Sequence, residues 1–84
     1  MELILYSSKR CNVCVALKPK LEEVATKYGI ELKEIKIEEN PAEAAQSMVF
    51  SAPTLILKEG NSEVRRWSRI FSVSEVEAFL NRIL

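Results

Sequence analysis

Cys11 and Cys14 are the only cysteines in a chain of 84 residues, and Asn12-Val13 separates them. They can pair with each other or with nothing else in the chain. Two thiols at this spacing suit reversible dithiol–disulfide chemistry, in which a thiolate is the attacking species. Lys9 and Arg10 bring positive charge alongside. A helix that starts at the pair adds unpaired backbone N–H groups and the positive end of its dipole. Both effects lower a thiol pKa from about 8.5 toward neutrality, so a thiolate is present at physiological pH. Cys11 then reads as the nucleophile. Cys14 falls on the apolar side of the helix and reads as the resolving thiol. The same two residues also fit a permanent disulfide, an idle pair, or two thiolate ligands to a metal. With no histidine and no aspartate in the chain, two ligands serve a linear Cu(I) site but make only half a zinc site.

The elements that must position the pair are legible on either side of it. Leu3-Ile4-Leu5-Tyr6 is a short continuous apolar run, as expected of a strand buried on both faces. Ser7 to Arg10 is the loop that delivers the cysteines. From Cys14 to about Tyr28, apolar residues at 14, 17, 21, 24, 25 and 28 recur at helical spacing. Pro19 inside this helix predicts a kink, and Gly29 predicts a left-handed end. Ile30 to Ile37 reads as a second strand, parallel to the first through a right-handed crossover. Asn40-Pro41 with Glu43 predicts a capped helix start, the helix running to about Met48. Ser51-Ala52-Pro53-Thr54 breaks the pattern before a third strand, Thr54 to Leu57. A turn from Lys58 to Ser62 makes a hairpin with Glu63 to Trp67. Ser72 to Glu75 is a capping box opening a last helix that buries Val73, Val76, Phe79, Leu80 and Ile83.

The order is therefore β-α-β-α-β-β-α: an α/β chain, expected to be one domain over residues 1–84 with a four-stranded mixed sheet and helices on both faces. Twelve basic and twelve acidic residues cancel, in no run longer than two. That excludes the basic stripe of a nucleic-acid or membrane-surface binder. The absent histidine excludes Cys–His and Ser–His–Asp nucleophile systems. Met1-Glu2 and the short apolar run lack the basic start and length of a signal peptide, and no stretch reaches the length of a membrane span. The expectation is a soluble, cytoplasmic monomer, in a compartment that keeps thiols mostly reduced.

Four features in sequence order resemble the thioredoxin-like superfamily over nearly the whole chain. They are Cys11-Asn12-Val13-Cys14 after the first strand, Pro19 five residues beyond, Ile37-Glu38-Glu39-Asn40-Pro41, and Ala52-Pro53-Thr54 before an apolar strand. The start, Ile4-Leu5-Tyr6-Ser7, is similar to glutaredoxin, and the second half is more similar to thioredoxin. Several positions depart from both patterns. Arg10 stands where thioredoxin has tryptophan, and Asn12-Val13 where it has Gly-Pro. Leu5 falls at its buried aspartate and Glu34 at the accompanying lysine. Val13 replaces the glutaredoxin aromatic, and Arg69 replaces a thioredoxin glycine that faces the site. Small copper carriers also place a Cys-x-x-Cys near a first helix, but their β-α-β-β-α-β order differs from this one.

The resemblance implies a thiol–disulfide oxidoreductase acting on protein disulfides, with no cofactor beyond the cysteine pair. Electrons would come from a thioredoxin-reductase-type flavoenzyme or from glutathione. The alternatives are a glutathione-dependent glutaredoxin and a metal-binding or adaptor module on the same fold. The resemblance also implies a cis Ala52–Pro53 bond beside Cys11, with the Ala52 backbone turned toward an extended substrate segment. Candidate substrate-binding residues are Arg10, Asn12, Val13, Ala52, Pro53 and Arg69. Val13, Val49, Phe50 and Ile70 form a candidate apolar rim, and Trp67 is placed beneath the hairpin. Glu34, Glu38 and Tyr6 are three candidates to assist proton transfer from Cys14.

Overall fold

The apolar run near the N-terminus becomes strand β1 (Glu2–Ser7), buried without interruption from Leu3 to Ser7 because both its faces are covered. The computed structural model describes all residues, Met1–Leu84. The remaining elements are α1 (Asn12–Tyr28), β2 (Glu31–Lys36), α2 (Pro41–Gln46), β3 (Thr54–Glu59), β4 (Ser62–Ser68) and α3 (Val73–Ile83). The sheet order is β2-β1-β3-β4. β1 is parallel to β2 and antiparallel to β3, and β3 and β4 form the antiparallel hairpin.

Alternate residues of β1 feed two cores, as the two-residue period of a strand requires. Leu3 and Leu5 join Leu55, Leu57 and Trp67 of the sheet and pack against Leu17, Leu21, Val24 and Ala25 of α1 and Val76 and Leu80 of α3. Ile4 and Tyr6 join Ile56 on the opposite face, with Ala44 of α2 and Val49. Trp67 lies in the first core, edge-on to Phe79 at 5.8 Å.

Several boundaries and caps differ from the sequence expectation. Helix α1 begins at Asn12, two residues before Cys14, because Cys11 itself serves as its N-cap. The helix runs unbroken through Pro19 and ends at Gly29, which is left-handed as expected (φ 66°). Asn40 occupies the cap position of α2 without capping it: its side-chain amide donates to the Lys36 carbonyl at 3.3 Å instead. That helix stops at Gln46, short of Met48, because Met48 is left-handed (φ 57°). The hairpin turn tightens to Gly60-Asn61, with a register shift between Leu57 and Lys58. Ser72 caps α3 as expected, its Oγ accepting from the Glu75 N–H at 3.2 Å. Ile83 is exposed rather than buried, since α3 ends there and no element covers its last turn. No helix is long and apolar enough to cross a membrane.

Candidate functional site

Three segments leave the sheet at one end. Tyr6 pairs with Thr54, and Thr54 with Ser68. The Ser7–Arg10 loop, the Ala52-Pro53 segment and the Arg69-Ile70 segment therefore all extend beyond the same edge of the fold. The dithiol sits on the first of them.

Cys11 and Cys14 are joined as a disulfide with their Cα atoms 5.2 Å apart. Cys11 is partly exposed, whereas Cys14 is only 2% exposed beneath it. The Cys14 backbone N–H donates to Cys11 Sγ at 3.1 Å. A sulfur at the N-cap thus accepts one of the N–H groups that a helix start leaves without a partner. That bond and the helix dipole favour negative charge on Cys11 once the pair is reduced. The loop before it is tied down at both ends. The Cys11 N–H donates to the Ser8 carbonyl at 3.1 Å, while Glu38 accepts from Ser8 Oγ at 2.7 Å and from the Lys9 N–H at 3.0 Å. The Ser8 hydroxyl, with help from the Lys9 N–H, holds the Glu38 carboxyl below its usual range.

The three candidates for proton transfer are separated by the fold. Tyr6 lies on the α2 face, its hydroxyl donating to Ser47 Oγ at 3.0 Å. Glu38 belongs to the loop clamp. Glu34 pairs in register with Leu5 on the α1 face, where it accepts from Lys18 Nζ and from Ser7 Oγ, each at 2.8 Å. Lys18 stands one helical turn beyond Cys14. Its hydrogen bond to Glu34, followed by that of Ser7, lowers the Glu34 pKa, and the same contact raises that of Lys18.

The Ala52–Pro53 bond is cis. Pro53 is buried and Ala52 partly exposed. The Pro53 carbonyl accepts from the Arg69 N–H at 2.8 Å, and neither backbone group of Ala52 bonds to the rest of the chain. Arg69 holds this contact in a left-handed conformation (φ 62°) with its side chain exposed. Arg10 and Asn12 are exposed as well, and neither arginine enters an ion pair.

The apolar rim needs one correction. Val13, Phe50 and Ile70 are 54, 81 and 97% exposed, but Val49 is 3% exposed and belongs to the core under α2. Val49 fills the space against Ala44 and Ile56, and the next side chain, Phe50, is left outside.

Two further features were missed in sequence. Met48, also exposed, follows α2 in the left-handed position where glycine is the usual residue. Arg66 of β4 reaches across to this turn, with Nη2 donating to the Ser47 carbonyl at 2.7 Å and Nη1 to that of Met48 at 3.0 Å. Glu63 steadies the same guanidinium from below, accepting from Nε at 2.8 Å and from Nη2 at 2.7 Å. The hydrogen bond to Glu63 raises the Arg66 pKa, and the same bond from Arg66 lowers that of Glu63. The only sequence signal was an acidic and a basic residue three apart in a strand, which says nothing about a carbonyl on another element.

Comparison with known proteins places this geometry among relatives. The family model of the Glutaredoxin-like domain (DUF836) matches residues 2–81. A thioredoxin of Buchnera aphidicola subsp. Acyrthosiphon pisum is 36% identical over 77 residues, covering 89% of this chain and 69% of that protein. A thioredoxin of Staphylococcus aureus is 35% identical over 63 residues, and there the match covers 71% of this chain but 61% of the relative. Among solved structures, thioredoxin 1 from the thermophilic eubacterium Thermosipho africanus superimposes with a TM-score of 0.93 at 35% identity, covering 98% of this chain and 92% of the other.

Proposed function

The chain belongs to the glutaredoxin-like domain family and is a thiol–disulfide oxidoreductase of thioredoxin fold, and from that premise we propose that it reduces protein disulfides with Cys11 attacking and Cys14 resolving. The observation that supports these roles is the Cys14 N–H donating to Cys11 Sγ at the N-cap, with Cys14 buried below.

In the reduced protein the Cys11 thiolate attacks one sulfur of the target disulfide. A Cys11–target bond forms, the target S–S bond breaks, and the departing sulfur takes a proton. Cys14 then loses its proton and attacks Cys11 Sγ. The Cys11–Cys14 bond forms and the second target sulfur leaves as a thiol, so two electrons and two protons pass to the target. No cofactor is needed beyond the cysteine pair.

The substrate contacts follow from exposure. The free backbone groups of Ala52 pair with an extended target segment, beside Pro53. Val13, Phe50 and Ile70 receive apolar side chains of the target. Asn12 supplies polar contact next to the dithiol, while Arg10 and Arg69 are cations without an internal partner, suited to a carboxylate. We take the protein to be a cytoplasmic monomer reloaded by a thioredoxin-reductase-type flavoenzyme. Glutathione is the second electron source, and the family's likeness to glutaredoxin supports it.

Cysteine substitution tests the reading. With insulin as substrate and dithiothreitol as reductant, the wild-type chain accelerates disulfide reduction and Cys11→Ser does not. Cys14→Ser accumulates a mixed disulfide through Cys11, visible by mass spectrometry. A mixed disulfide through Cys14 in the Cys11→Ser protein would reverse the roles. Cys14→Ser retaining full turnover of glutathionylated substrates would move the assignment to a glutathione-dependent glutaredoxin.

A further inference from the structure

We propose that Arg66 is a positioning residue for protein substrates, holding the turn after α2 so that Phe50 stands out at the dithiol end of the sheet. The inference rests on the function proposed above and concerns one part of its substrate surface.

Helix α2 has only six residues, too few to hold its own end in place. Its last turn closes through the Met48 N–H to the Ala45 carbonyl at 3.0 Å and the Val49 N–H to the Ala44 carbonyl at 2.8 Å. The carbonyls of Ser47 and Met48 accept no backbone N–H, and these are the two that the Arg66 fork takes. Charge-assisted, forked bonds of this kind fix direction as well as distance. Glu63 fixes the fork in turn, so the turn after α2 is registered to β4 rather than to its own short helix.

What the clamp registers is the alternation of Val49 and Phe50. Val49 is inserted among Ile4, Tyr6, Ala44 and Ile56, and Phe50 is thereby turned out. Phe50 stands three residues before Pro53, whose carbonyl is bonded to Arg69 and whose neighbour Thr54 pairs with Tyr6. The aromatic ring is therefore carried on the same end of the sheet as Cys11. Without the fork, the 47–50 segment is free to shift, and Phe50 loses its fixed place in the rim. A small disulfide needs the dithiol alone and does not sense that loss.

The test compares two substrates, insulin and 5,5′-dithiobis(2-nitrobenzoate). Arg66→Met removes the fork and keeps an apolar stem. We expect kcat/KM for insulin to fall about tenfold, mostly through KM, which is the size of one good interface contact. The rate with the small disulfide changes by less than about twofold, since no interface contact is involved. Phe50→Ala reproduces the insulin loss, and the double variant loses no more than Phe50→Ala alone, as for two residues acting through one contact. If Arg66→Met does not fold, Glu63→Gln leaves every backbone partner in place and shows the same substrate split, smaller in size. Equal losses on both substrates, or losses that multiply in the double variant, would overturn the assignment. A wild-type protein that fails to reduce insulin at all would instead remove the functional reading beneath it.

Discussion

Helices α1 and α2 end in the same turn and close it with different residues. In α1 the Ile30 N–H reaches the Ala25 carbonyl at 2.9 Å and the Gly29 N–H that of Thr26 at 3.2 Å, with Gly29 left-handed. In α2 the bonds of Val49 and Met48 to Ala44 and Ala45 repeat this pattern, with Met48 left-handed. Glycine reaches that conformation at no steric cost, whereas an L side chain meets the neighbouring carbonyl. The turn after α1 lies on the well-filled face, where a seventeen-residue helix and α3 cover the larger core. The turn after α2 lies on the thinner face and leads straight into the Ala52-Pro53 segment, and there polar bonds from Arg66 and Tyr6 supply what apolar packing does not. Backbone strain is kept where surrounding contacts over-determine it, and such places gather at working sites.

Substitutions can break or sharpen this contrast. The largest effect belongs to the filled face: Leu21→Ala, in a fully buried position, should cost about 2–5 kcal/mol in urea unfolding. A much smaller loss would mean that α1 is not the main source of cohesion. Next is Gly29→Ala. A Cβ there meets nothing within 4 Å, so the expected cost of about 1–2 kcal/mol is conformational alone. Tyr6→Phe removes the hydroxyl bond to Ser47 and should cost about 0.5–1.5 kcal/mol. A neutral result would leave Arg66 as the sole polar tie of α2. Met48→Gly should reverse the sign of the glycine experiment. Relief of the left-handed strain outweighs the added freedom of the unfolded chain, for a net gain of up to about 1 kcal/mol in the same assay. If Met48→Gly destabilises, the two turns are not equivalent and the methionine side chain contributes contacts of its own.

The smallest effect is one of pH. Lys18 and Ser7 hold the Glu34 pKa below its unfolded value of 4.5, so the folded protein binds that proton less readily than the unfolded chain. The associated stability is present above pH 4.5 and is lost as pH falls through the lowered value. Glu34→Gln should therefore flatten the acid limb of a Tm-against-pH curve and leave its neutral plateau nearly unchanged in slope. An acid limb as steep as the wild type would show that the pair is too solvent-screened to matter.

Much of this protein is legible in contiguous residues, because the signals act over a few positions. The spacing of 11 and 14 defines the dithiol, and the apolar run from Leu3 defines a strand covered on both sides. The helical period to Tyr28, Gly29 as a left-handed end, and Ser72 with Glu75 as a cap follow from backbone bonds made within one or two turns. Those signals also fail locally: a methionine in a glycine's place concealed the end of α2, and Asn40 turned its amide back to Lys36. Tertiary structure alone decided the rest. Whether Val49 or Phe50 faces outward depends on which of them meets Ile4 and Ile56 across the sheet. Glu34 has Lys18 for a partner only because α1 is laid over β2, and Arg66 finds the Ser47 and Met48 carbonyls only because the hairpin brings β4 toward α2. The Lys18–Glu34 and Arg66 contacts join residues sixteen or more positions apart, and neither partner's type or spacing specifies the other.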